Sequence, residues 1–384
     1  MIQLYYPERD TTLYERYPDK NTGIDQMLEL TKITSGSLLD GELQGNTYNS
    51  RILIDFGNQI TAISDAIASG DIPPIGAVNA GSASVYLNMR VAYASDLPYS
   101  YTLKAFPLFE NWTNGTGNYN DIPETTNGVS WYNIDNKTQA TRWSTGSAPS
   151  YNDYSVTNIQ GGGSWYTGSG YEASQAFQAG INASPDMRMD VTDIVKRWVN
   201  DTIENYGFII KRTTPDERSS NIMGTLKFFG LDTHTIYVPR LEVVWNDTIL
   251  TGTGSFTEIT DDIYVPYIKN IRNEYRESDN AIFRIAARPQ FPRRSYATSS
   301  HYITEYRLPT SSYYSIQDAV TNETIIPFDT VATKISCDTA GSYFKLRLNT
   351  FQPERYYKIV LKVERNGGAD VQTFGEGFYF KVVR

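Results

Sequence analysis

Apolar and polar residues alternate with a period of two along most of the chain, the pattern of strands with one buried face. Val85, Leu87, Met89, Val91 and Tyr93 point one way, and Tyr86, Asn88, Arg90 and Ala92 point the other. Tyr101, Leu103 and Ala105 repeat the pattern before Pro107 ends the run. Residues 50–57 form a denser apolar strand closed by Gly57, and Leu241, Val243 and Trp245 form a late strand after Pro239. Near the C-terminus Phe344/Leu346/Leu348, Tyr357/Ile359/Leu361/Val363 and Phe378/Phe380/Val382 continue the alternation. The turn Asn366-Gly367-Gly368 is expected to join the last two. The chain is predicted to be all-β.

One segment departs from this. Val191, Ile194, Val195, Trp198 and Val199 fall at the spacing of one helix face. Asp190 stands where it can cap the free amides, Asp193 suits the positive end of the dipole, and Lys196-Arg197 lie toward the other end. A single short helix is expected there, with Trp198 as its core anchor; Trp245 is expected in the core as well.

Between about residues 110 and 190 the composition turns to Gly, Ser, Thr, Asn, Tyr and Trp, which reads as long surface loops. Gly161-Gly162-Gly163-Ser164 is expected to be the most flexible point. A second change after Trp245, through Asn246-Asp247-Thr248 and Thr251-Gly252-Thr253-Gly254-Ser255, marks a domain boundary between 1–246 and 247–384. Charge divides at the same place. Residues 247–384 carry 17 basic and 16 acidic side chains, which leaves 17 and 27 for residues 1–246.

Composition narrows the chemistry. Only two His and one Cys occur in 384 residues, so no Cys₄ or Cys₂His₂ zinc site, di-histidine metal site, CxxC pair or internal disulfide can be built. No Gly-x-Ser-x-Gly elbow, phosphate-binding loop or dinucleotide fingerprint is present. No cofactor is expected. The first residues lack a basic segment followed by an apolar stretch, and no run of about twenty apolar residues exists to span a membrane. The expectation is a chain made in a cytoplasm, without membrane insertion.

Residues 1–246 resemble the DNRLRE family of β-sandwich domains. The resemblance rests on the Asp-led strand Asp10–Tyr14, the Asn21-Thr22-Gly23 loop with its apolar strand to Leu30, Arg51-Ile52-Leu53-Ile54-Asp55-Phe56, and Trp112–Gly117 followed by Gly128-Val129-Ser130-Trp131. It ends on Asp190–Trp198, Asn205-Tyr206-Gly207-Phe208 and Pro239-Arg240-Leu241-Glu242-Val243. Asn114 departs from the family, which more often has Glu there. The resemblance implies a jelly-roll-like sandwich used as an adhesive or architectural module, with glycan binding in some relatives. Residues 247–384 read as an immunoglobulin- or fibronectin-like β-sandwich. The style of residues 343–348, 353–358 and 377–384 is similar to structural proteins of contractile-tailed phages, especially those of marine hosts.

His234 and His301 read as ordinary surface or turn residues, and Cys337 as a buried inert thiol. Asp121, Glu124, Asp153 and Asp190 are carboxylates of the kind a glycosidase needs, but any chain of this length has such pairs. Asp261-Asp262 suits calcium less well than it suits a solvated turn. Trp112, Trp131, Trp143, Trp165 and Tyr166 form the main aromatic set, suited to contact a neighbouring subunit, to pin loops, or to stack on a glycan. Arg284, Arg288, Arg293 and Arg294 form a basic patch suited to an acidic partner surface and too weak for nucleic acid. The reading is a non-catalytic structural component of a phage virion, in its neck, tail or baseplate region or as a surface decoration. It would contact other virion proteins and copies of itself. The alternative is a glycan-binding adhesion module for a host surface or polysaccharide.

Overall fold

The computed structural model describes residues 1–34, 38–39, 42–43, 47–76, 81–136, 141–144, 161–178, 184–251, 254, 256–291 and 305–384. The fold is all-β, a set of packed sheets with few helices. The chain divides into two compact units, Tyr5–Val243 on the one hand and Met1–Leu4 with Val244–Arg384 on the other. The four N-terminal residues therefore belong with the C-terminal part of the chain. There the Trp245 N–H donates to the Met1 carbonyl at 3.0 Å, and Arg347 donates to Gln3 Oε1 at 3.3 Å.

In the first unit the central strand Thr47–Asp55 is buried at every position from Asn49 onward. That explains why it reads as a dense apolar run rather than an alternating one. It pairs with Arg9–Tyr14, Met27–Thr34 and Phe208–Arg212, all antiparallel. The sheet then continues through Ser100–Pro107 and Ala173–Gln178 on one side, and through Gly224–Phe229 and Val91–Ser95 on the other. A second sheet of this unit holds Arg240–Val244, Ser84–Met89 and Met187–Asp190. The rings and aliphatic chains of Leu28, Leu30, Ile52, Ile54, Val85, Leu87, Leu226 and Phe228 are fully buried. Each such side chain contributes roughly 1.5–3 kcal/mol by leaving water.

The long alternating run from Val85 to Tyr93 is not one strand. It breaks at Arg90, and the two halves, Ser84–Met89 and Val91–Ser95, lie in different sheets. Asp186 makes the corner: its Oδ1 accepts from the Val91 N–H at 2.9 Å and its Oδ2 from Arg90 Nη1 at 2.8 Å. Strands change sheet at such corners. Tyr93, expected on the buried side, is consequently exposed.

Among the described residues three α-helices occur where one was expected. Helix α1 (Asn58–Ala68) opens at Gly57, whose φ of 40° suits glycine, and buries Ile60 and Ile63. Helix α2 (Thr192–Val199) is the one the spacing predicts. Asp190 Oδ1 accepts from the Thr192 N–H at 3.0 Å, and Ile194, Val195 and Trp198 are buried. Trp198 meets Phe208 edge-on at 4.6 Å between ring centroids. Helix α3 (Thr214–Arg218) is capped by Thr213, which accepts from the Asp216 N–H. Pro215 and the acidic residues of its first turn were available signals for it.

The second unit is a two-sheet sandwich. One sheet runs Tyr264–Ile268, Asn280–Pro289, Gly341–Arg347, Ser336–Asp338. The other runs Glu274–Arg276, Tyr379–Val383, Arg355–Arg365, Ser312–Asp318, Thr324–Ile326, with Asp370–Phe374 also on Arg355–Arg365. Rings from both meet in the core: Tyr314 stacks on Phe344 at 4.2 Å, Phe344 on Phe283 at 5.1 Å, and Phe283 meets Phe380 at 5.7 Å. The Asn366-Gly367-Gly368 turn does not lead directly to the last strand. It closes a hairpin between Arg355–Arg365 and Asp370–Phe374, a strand whose mixed sequence Asp-Val-Gln-Thr-Phe lacks a clean apolar face.

Candidate functional site

The aromatic set singled out in the sequence is internal. Trp131 is 0% exposed and Trp165 5%, and Trp112, Trp143 and Tyr166 are buried with them. Trp112, Trp131, Trp143 and Trp165 pack with Leu13, Leu53, Leu108, Val129 and Ile209 in one cluster of the first unit. The Trp112 indole N–H donates to the Tyr206 carbonyl at 3.0 Å, and that of Trp143 to the Ser130 carbonyl at 3.0 Å. Tyr166 stacks on Tyr171 at 5.5 Å. Buried as they are, these rings hold loops against the sandwich.

Charges hold the same cluster from beneath. Arg51 is buried and forked onto Glu217, with Nε to Oε1 at 3.0 Å and Nη2 to Oε2 at 2.8 Å. Lys211 reaches Glu217 Oε2 at 2.8 Å. Burial alone would raise the Glu217 carboxyl, but Arg51 and Lys211 outweigh it and hold the group below its ordinary value. Burial lowers the Lys211 ammonium. The guanidinium of Arg51 also lies over Trp131 and Trp165, at 4.9 and 5.1 Å from the ring centroids. Its Nη1 donates to the Gly162 carbonyl at 2.6 Å.

That bond corrects the expected flexibility of residues 161–164, all of which are buried. Gly161, Gly162 and Gly163 have φ of 129°, 84° and 102°. A Cβ on Gly161 would lie 2.1 Å from the Trp131 carbonyl oxygen, and one on Gly162 would lie 2.5 Å from Arg51 Nη1. The glycines are there because rings and a guanidinium leave no room for side chains.

The Asn21-Thr22-Gly23 loop and the Trp112–Gly117 loop meet. The buried Asn21 amide donates to the carbonyls of Asn114 and Val129, both at 2.8 Å, and its Oδ1 accepts from the N–H groups of Gly23 and Gly117. Asn114 Nδ2 returns a bond to the Gly23 carbonyl at 2.6 Å. Asn114 thus holds loop to loop.

The other candidates have local roles. Asp121 accepts from Thr125 at 2.7 Å and from the Asn118 N–H at 2.8 Å, Glu124 lies 3.7 Å from Lys20, and Asp190 Oδ1 accepts from the Thr192 N–H just before α2, whose N-cap residue is Val191. His234 is exposed, and Asp261 and Asp262 are both exposed beside Arg365. Burial raises the Cys337 thiol. Arg284 is paired with Asp338 at 2.6 Å and lies over Tyr343, so its charge is matched within the unit. Arg288 is half-buried, with a bond to the Pro289 carbonyl. Arg293, Arg294, His301 and Asp153 lie outside the described residues. Among the described residues no group of three or more His, Cys, Asp and Glu side chains is placed to hold a metal ion.

What sequence reasoning missed is a concave, tyrosine-walled cleft of about 260 Å³ on the first unit. Its floor is the outer face of the large sheet, where antiparallel register aligns Glu29, Lys227 and Tyr93 in one row and Thr31, Thr225 and Ser95 in the next. Tyr14, Tyr17, Tyr48 and Tyr119 stand around it. Tyr119 is set by its N–H bond to Asp25 Oδ2 at 3.2 Å and by Lys20, which donates to its carbonyl at 3.0 Å and lies over its ring. The signal was the count of 29 Tyr, but the cleft's residues are scattered from position 14 to 227.

No protein-family model matches the chain, and no curated protein matches it. No helix among the described residues is long and apolar enough to cross a membrane.

Proposed function

We propose that the chain is a non-catalytic structural component of a phage particle, placed in its neck, tail or baseplate region or on its surface. It works through contacts with copies of itself and with other virion proteins. The observation that carries this is the outer face of the second unit's larger sheet. Tyr356 and Tyr379 are 54% and 41% exposed there, each paired across the strands with a lysine, Tyr356 with Lys381 and Lys358 with Tyr379. Val371, also exposed, lies on the neighbouring Asp370–Phe374 strand. Exposed tyrosines are the residues that protein interfaces favour. The two lysines are matched within the unit, Lys381 by Glu354 at 2.5 Å and Lys358 by Glu376 at 4.0 Å, so the exposed tyrosines and Val371 carry the contact.

The style of residues 343–348 and 377–384 supports placing this assembly in a contractile-tailed phage. Sedimentation of the full chain at increasing concentration tests the contact. Self-association that is lost in the double variant Tyr356→Ser/Tyr379→Ser is expected. A chain that stays monomeric at every concentration, and is absent by mass spectrometry from purified particles, contradicts the reading.

A further inference from the structure

We propose that the fold leaves Asn366-Gly367 as a site of spontaneous self-modification, at which the Asn366 amide becomes a carboxylate, while it protects the chain's other Asn-Gly pairs. In this reaction the backbone nitrogen of Gly367 bonds to Cγ of Asn366. The Cγ–Nδ2 bond breaks, and Nδ2 leaves as ammonia with the proton that the Gly367 nitrogen gives up. Water then opens the five-membered imide. Breaking the new bond to Cγ gives aspartate, and breaking the original peptide bond leaves the main chain running through Cγ, as isoaspartate. Water is the only co-reactant, and nothing is oxidised or reduced.

Asn is followed by Gly at three positions, Asn114, Asn127 and Asn366. The first two are locked together. Asn114 Nδ2 donates to the Gly23 carbonyl at 2.6 Å. Asn127 Nδ2 donates to Thr116 Oγ1 at 2.8 Å, and its Oδ1 accepts from the Thr116 N–H at 3.0 Å. Their glycines press on one another: a Cβ on Gly128 would lie 2.4 Å from Gly115 Cα, and one on Gly115 would lie 2.6 Å from the Asn127 carbonyl oxygen. Side chains held this way cannot turn Cγ toward the next nitrogen, and glycines so enclosed cannot carry that nitrogen in.

Asn366 is the opposite case. It is exposed, as are Gly367, Gly368 and Ala369, and its side-chain amide has no hydrogen bond among the described residues. A Cβ on Gly367 or on Gly368 would meet nothing within 4 Å. Asn366, Gly367 and Gly368 have φ of 51°, 67° and 92°, a left-handed run that Asn-Gly favours in a hairpin turn. Glycine moves between positive and negative φ at little cost, so the rotation that brings the Gly367 nitrogen to Cγ meets no neighbour.

Both products place a carboxylate in a turn whose ends, Arg365 and Asp370, face each other across the ladder. Isoaspartate also lengthens the main chain between the two strands by one carbon. The second of these strands, Asp370–Phe374, bears Val371, so on the reading above the docking face would change as the chain ages. The modification itself does not rest on that reading.

Peptide mapping of the full chain after storage in mildly alkaline buffer tests the proposal, with aspartate and isoaspartate forms separated. The peptide 366–381, released by cleavage after Arg365 and Lys381, reports on the site. In the folded chain, conversion at Asn366 at least about ten-fold faster than at Asn114 and Asn127 is expected, since those two react only after local opening. In denaturant the three rates are expected to converge. No conversion at Asn366 in the folded chain, or equal conversion at Asn114 or Asn127, overturns the proposal. A difference that persists in denaturant overturns it too, because sequence and not the fold would then set the rates.

Discussion

At Asp10 a carboxyl is buried at 1% exposure. Burial raises its pKa to about 7, against a bond from the Leu231 N–H at 2.6 Å and with Asp232 and Asp25 adding like charge. A carboxyl whose folded value lies above its unfolded one binds more protons folded than unfolded. Its contribution to stability is therefore complete below about pH 4 and falls as the pH rises toward 7. Asp10→Asn keeps the acceptor and removes the titration. Between pH 5 and pH 8 the parent chain is expected to lose about 2–3 kcal/mol more of unfolding free energy than the variant. Denaturant titrations at the two pH values measure this, and parallel losses in both proteins would refute it.

Elements show most clearly what could be read from the chain. Ser100–Pro107 and α2 were legible because Tyr101, Leu103 and Ala105 in the strand, and Ile194, Val195 and Trp198 in the helix, mark one buried face each. The corner at Arg90 was not. The alternation stays in phase through it, and only the bonds from Asp186, nearly a hundred positions away, turn the strand. Helix α1 was legible in principle from Ile60, Ile63 and Ile67, but it lacks a capping side chain to mark its start. The Gly161–Gly163 segment misled because glycine carries no sign of what lies against it. The tyrosine cleft stayed hidden because register across three strands, not sequence spacing, gathers its floor. Gly162→Ala joins a clash with Arg51 and Trp131 to a φ that L-residues avoid. A loss of at least about 2 kcal/mol in chemical denaturation is expected. A variant as stable as the parent would show that the segment yields.

For the molecule as a whole, two cores stabilised differently make a calorimetric expectation. The first unit encloses a buried ion network around Glu217, and the second a stack of Tyr and Phe rings. Removing one partner of a buried ion pair costs about 3–5 kcal/mol, and truncating a core Phe costs about the same. Two unfolding transitions are expected, with Glu217→Gln lowering one and Phe344→Ala the other. One transition lowered by both variants would show that the units melt together.

The pinned glycines also bear on how this chain can be engineered. A Gly-Gly-Gly-Ser stretch is where an experimenter would splice a fluorescent protein or an affinity tag, on the view that it is a spacer. Here it threads beneath Trp131 and over Arg51, and an insertion would drive the indole off the guanidinium. Ile122, 97% exposed in the loop before Pro123, offers a gentler site for a label.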